Sequence, residues 1–133
     1  MRVLLVDDEI HVRSAVSIML QANHFEIVEA ESGAVGLKKF KKSTFDLAIV
    51  DIYIPGMDGV KIIKALRSLA PNLPIIAMSG MRLKLSDQTA LDYLSMLPTL
   101  PNVVCLLKPF RPDRLTAAIQ HAISAGAVGT VAS

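Results

Sequence analysis

"FDLAIVDIYIPGMDG", Phe45 to Gly59, carries an apolar run up to a carboxylate, Asp51, and passes almost at once into a proline and two glycines. The run "LAIV" has the composition of a strand buried on both faces, while Pro55 and the Asp58–Gly59 pair are turn signals. A carboxylate at the end of such a strand incurs a large desolvation cost unless it is paired or bound to a metal. Two expectations follow. The run is a strand of a covered parallel sheet that stops at Asp51, and Asp51 sits where chemistry is done.

Outward from this stretch, similar runs recur: "RVLLV" (Arg2–Val6), "FEIVEA" (Phe25–Ala30), "PIIAMS" (Pro74–Ser79) and "VVCLL" (Val103–Leu107). Longer segments with helical spacing separate them. Val12, Ala15, Val16, Met19 and Leu20 trace one buried face, as do Ile62, Ile63, Leu66, Leu69 and Ala70, and Leu115, Ala118, Ile119, Ala122 and Ile123. "SGAVGLKKFKK" (Ser32–Lys42) is a weaker helix because of its two glycines, with Leu37 and Phe40 inward and the lysines as a solvated face. The alternation predicts a doubly wound α/β fold, a five-stranded parallel sheet with helices on both sides and right-handed crossovers. The segment Gly80–Asn102 is irregular and holds a possible helix over Ser86–Leu97, capped by Ser86 or Asp87 and ended by Pro98 and Pro101.

Composition narrows the function. The chain has 133 residues, 52% of them hydrophobic and 20% charged, which suits one domain with a dense core. The organisation read from it is a domain over residues 1–125 and a flexible tail or linker over 126–133. A formal charge of +2 gives no argument for direct nucleic-acid binding. No run approaches the roughly 20 apolar residues of a membrane span. Acidic residues arrive by Asp7, too early for a signal peptide, so a cytoplasmic protein is expected. The lone Cys105 reads as a small core residue, and His11, His24 and His121 lack metal-ligand spacing.

In open parallel sheets, sites form outside the carboxyl ends of the strands. The first strand ends in Asp7 and Asp8, the third in Asp51, the fourth in Ser79 and the fifth in Lys108. Ordinary roles exist for several of these: Asp8 could cap the following helix, and Lys108 before Pro109 could be a solvated loop lysine. Together they have a chemical logic. Mg²⁺ takes oxygen ligands, which Asp7, Asp8 and Asp51 could supply. A carboxylate can also act as nucleophile toward phosphorus, with Lys108 neutralising phosphoryl oxygens and the Ser79 hydroxyl donating to one of them.

The motifs "VLLVDDE", "DLAIVDIYIPGMDG", "IIAMSG" and "LLKPF", in this order and on these strand ends, closely resemble the receiver domain of bacterial two-component response regulators, the family that includes the chemotaxis regulators. The resemblance spans roughly Met1 to Ala125. It implies a flavodoxin-like sheet of order 2-1-3-4-5. It further implies Asp51 as phosphoacceptor, Asp7 and Asp8 as the acidic pair holding Mg²⁺ with Asp51, Ser79 as switch hydroxyl and Lys108 as phosphate-pairing lysine, joined to Pro109 by a cis bond. A sensor histidine kinase or histidine phosphotransfer protein is the implied donor. A downstream protein would dock on the face of the fourth helix, fifth strand and fifth helix, where receivers also form homodimers. Such a domain is a switch rather than an enzyme, beyond its own phosphorylation and dephosphorylation.

Two departures stand out. Three residues before the lysine, where the family usually has an aromatic, stands Cys105, and 28 residues separate Ser79 from Lys108, which is longer than usual. The fourth-helix region is therefore expected to be atypical. A longer regulator with a DNA-binding or enzymatic output domain is the alternative context. A phosphohydrolase of haloacid-dehalogenase type is disfavoured, since its second aspartate would stand where the chain has Tyr53. A dinucleotide-binding module is disfavoured because no G-x-G-x-x-G follows the first strand.

Overall fold

The computed structural model describes residues 1–52, 59–80, 103–108 and 110–128. The expected helix over Ser86–Leu97, the turn at Pro55, the Lys108–Pro109 bond and the end of the tail lie outside the described residues. Strands β1 (Arg2–Val6), β2 (Glu26–Ala30), β3 (Leu47–Asp51), β4 (Ile75–Gly80) and β5 (Val103–Lys108) form one parallel sheet in the order β2-β1-β3-β4-β5. Helices α1 (Ile10–Gln21), α2 (Gly33–Phe40) and α3 (Gly59–Leu69), with a C-terminal helix (Pro112–Val128), cover its two faces. The order and the doubly wound layering are those expected.

Alternation along the central strands divides the core in two. Leu4, Val6, Ala48 and Val50 point to one face and pack with Ile62, Ile63 and Leu66 of α3. Val3, Leu5, Leu47 and Ile49 point to the other and pack with Val16 and Leu20 of α1 and with Leu115, Ile119 and Ala122 of the C-terminal helix. All five residues of β3 are buried, which is why its sequence reads as a continuous apolar run.

Gly36 of α2 has a packing reason. A Cβ on Gly36 would lie 2.9 Å from Val6 Cγ2, so the helix approaches β1 more closely than a side chain permits. Ser32 supplies the start signal by accepting the Val35 N–H at 3.2 Å. The expected helical stripes hold at their centres and fail at their margins. Ala15 is exposed at the edge of the α1 stripe, and Leu69, the last residue of α3, is 49% exposed because the helix stops there.

One core assignment is corrected. Cys105 is exposed, as is Leu107. β5 is an edge strand whose ladder partner is β4, and alternation sends Val104 and Leu106 toward the C-terminal helix while Cys105 and Leu107 point the other way.

Candidate functional site

Strand register builds the site. Val6 pairs with Val50, so the next residues, Asp7 and Asp51, leave neighbouring strands at the same level. Asp51 pairs with Met78, which places Ser79 one step beyond it, and Gly80 pairs with Lys108 on the edge strand. All the residues expected at the carboxyl edge thus gather at one end of the sheet.

Asp7 is fully buried, Asp51 is 5% exposed and Ser79 2% exposed. Asp8 is exposed, yet one carboxylate oxygen from each of Asp7, Asp8 and Asp51 can lie within 4.8 Å of the others. Lys108 Nζ donates to Asp51 Oδ2 at 2.9 Å and to Asp7 Oδ2 at 3.2 Å. Burial alone would depress the Lys108 pKa, but the charges and hydrogen bonds of Asp51 and then Asp7 outweigh it, so the net shift is upward. With the carboxylates ionised, the ion pairs contribute stability in full below the ordinary lysine value and lose it as pH rises through the raised one. At neutral pH Lys108 is a cation.

The capping role offered to Asp8 is corrected: Glu9 occupies the N-cap position of α1, and its side chain does not cap the helix. The helix begins one residue too late for Asp8 to cap it, which leaves that carboxylate beside Asp7 and Asp51. Asp7 shapes the turn instead, its Oδ1 accepting the Glu9 N–H at 2.9 Å.

The donor set suits a hard divalent cation. All its ligand atoms are carboxylate oxygens, and three carboxylates facing one ammonium leave an excess of negative charge. The Ser79 hydroxyl is buried with no hydrogen-bond partner among the described residues. An orphaned buried hydroxyl is uncommon, and at this edge an anionic oxygen brought by a ligand would satisfy it.

Gly59 contributes a constraint that its turn-like sequence does not reveal. It is the first residue of α3, and a Cβ there would lie 2.2 Å from Ile52 Cα and 2.4 Å from the Asp51 carbonyl oxygen. Its N–H donates to Ile52 O at 3.0 Å. The start of α3 therefore rests directly on the backbone that carries Asp51. Arg13 was also missed: its guanidinium donates to the Asp7 carbonyl at 2.7 Å and to Glu29 Oε1 at 3.1 Å. The sequence signal was a basic residue one turn into α1, which by itself is indistinguishable from a solvated one.

Comparison with known proteins gives a consistent picture. The family model for the response regulator receiver domain matches residues 3–120. Over 129 residues the chain is 32% identical to the chemotaxis protein CheY of Bacillus subtilis, covering 92% of this chain and 98% of that one. It is 30% identical, again over 129 residues, to the cell cycle response regulator CtrA of Brucella ovis, where the match covers 92% of this chain but 50% of CtrA. The solved structure of the Vibrio cholerae chemotaxis protein CheY4 aligns with a TM-score of 0.73 at 30% identity, over 91% of this chain and 97% of that one.

Proposed function

The chain belongs to the response regulator receiver family, and from that premise we propose that it is a phosphoacceptor switch in a two-component phosphorelay, phosphorylated on Asp51. The observation that carries this reading is the meeting of Asp7, Asp8 and Asp51 with Lys108 beside the buried Ser79 hydroxyl, which has no partner among the described residues. Asp7, Asp8 and Asp51 would hold Mg²⁺, which when bound supplies charge neutralisation for the phosphoryl oxygens. A sensor histidine kinase or histidine phosphotransfer protein is the proposed donor, and the cytoplasm the proposed location of this chain. The Asp51 carboxylate oxygen forms the new O–P bond as the P–N bond of the phosphohistidine breaks, and the departing imidazole takes its proton from solvent. Lys108, already on Asp51 Oδ2, is placed to follow the charge onto the phosphoryl group.

Phosphorylation adds about −1.5 to −2 charges at Asp51 together with new acceptor oxygens. A charge-assisted hydrogen bond from Ser79, worth about 1.5 to 3 kcal/mol, would shift a two-state equilibrium about ten- to a hundredfold if it forms only in that state. The readout face is proposed to include β5 and the C-terminal helix, as the site of a downstream protein or a second copy. With Cys105 in the usual aromatic position, that readout proceeds without an aromatic rotamer change.

The test uses a small phosphodonor with Mg²⁺. Wild-type protein takes up a labelled phosphoryl group and Asp51→Asn takes up none; undiminished labelling of the variant would refute the assignment. Two contexts fit this switch. The match spans 98% of CheY and 50% of CtrA, and the chain is proposed as a single-domain regulator, receiver 1–125 and tail 126–133 with the last helix continuing to Val128, or as the receiver of a longer one. The length of the native reading frame decides between them.

A further inference from the structure

β1 ends at Val6, so the Asp7 carbonyl lies past the strand, in the turn that aims both acidic side chains. Arg13 reaches it from α1, donating from Nη1 at 2.7 Å. Its Nε donates at the same time to Glu29 Oε1 at 3.1 Å, and Glu29 Oε2 accepts from the Ser17 hydroxyl at 3.0 Å. The planar guanidinium is thus fixed at two points, one on β2 and one on the floor of the acidic pocket, with 13% of its side chain exposed. Asp7 is held at each of its polar atoms. Its N–H donates to the Ala30 carbonyl at 3.1 Å, its carbonyl accepts from Arg13, Oδ1 accepts from the Glu9 N–H and Oδ2 from Lys108. Among these partners Arg13 is the one side chain that can be changed without removing a group from the pocket itself.

We infer that Arg13, oriented by Glu29, is a positioning residue that sets the β1–α1 turn so that Asp7 and Asp8 converge with Asp51 on a divalent cation. This rests on the reading of those carboxylates as metal ligands. Charge alone predicts the opposite effect. Deleting a cation beside an acidic pocket makes the pocket more negative and draws Mg²⁺ in more tightly, whereas loss of a positioning contact loosens the ligands and weakens binding.

The experiment is a calorimetric titration of the unphosphorylated protein with Mg²⁺. Arg13→Ala is expected to weaken binding about tenfold, the effect typical of removing a group that orients a ligand. The double variant Arg13→Ala with Glu29→Gln, which restores the net charge of the wild type, is expected to weaken it equally. In phosphorylation by acetyl phosphate, the Mg²⁺ concentration giving half the maximal rate should rise by the same factor while the rate at saturating Mg²⁺ stays unchanged. Unchanged or tighter Mg²⁺ binding in Arg13→Ala would overturn the inference. Should the alanine variant not fold, Arg13→Lys, which keeps the charge and one of the two contacts, carries the test: weaker binding supports the inference and wild-type affinity overturns it. Wild-type protein that binds no Mg²⁺ would instead refute the reading of Asp7, Asp8 and Asp51 as ligands, and this inference with it.

Discussion

At the carboxyl end of β1 and β3, polar groups are buried and held: Asp7 and Asp51 are sealed against the sheet, with Lys108 between them. On the outer face of β5, a few residues away, apolar groups are exposed, with Cys105 and Leu107 turned from the core. The two regions invert the usual rule in opposite directions. A buried carboxylate persists only with a specific partner, so the corner is tightly specified, while an outward thiol on an edge strand can be exchanged at little cost.

That contrast can be broken most strongly at Gly59. Its missing Cβ would collide with the backbone of Ile52 and Asp51, which cannot swing aside as a flexible side chain can. Gly59→Ala is expected to destabilise the fold by about 3 kcal/mol in denaturant unfolding. A loss near zero would show that the start of α3 is not pressed against the site. Ser79→Ala gives a smaller effect of opposite sign. Because the hydroxyl is buried without a partner among the described residues, its removal should leave the unphosphorylated protein unchanged or up to about 1 kcal/mol more stable. The same variant should lose the response of partner binding to phosphorylation; clear destabilisation would mean that Ser79 is already satisfied. The smallest effect belongs to β5, where Cys105→Ala should change stability by less than about 0.5 kcal/mol. A loss of several kcal/mol would return Cys105 to the core and erase the contrast.

The same contrast explains what could be read from sequence. The sheet order was legible only through the family resemblance, whereas the gathering of Asp7, Asp8, Asp51, Ser79 and Lys108 was legible from the residues, because few environments tolerate a charge directly after a run such as "LAIV" and because strand ends in a parallel sheet fall at one edge. Cys105 was misread because "VVCLL" has the same composition whether one face of the strand is covered or both, and edge position is a property of the whole sheet. The N-cap position fell to Glu9 rather than Asp8, because helix starts shift by a residue without changing the apolar pattern. Arg13 and Glu29 lie on different elements, and neither spacing nor composition announces that they meet. Gly59 looked like a turn residue, since a close backbone approach leaves no mark on sequence beyond the glycine itself.

The most direct test of the central claim is to locate the phosphoryl group. Wild-type protein is treated with acetyl phosphate and Mg²⁺, reduced with borohydride, which converts an aspartyl phosphate to homoserine, and mapped by peptide mass spectrometry. Homoserine at position 51 is the predicted result. Modification at another aspartate, or none at all in folded protein with Mg²⁺ present, would contradict it.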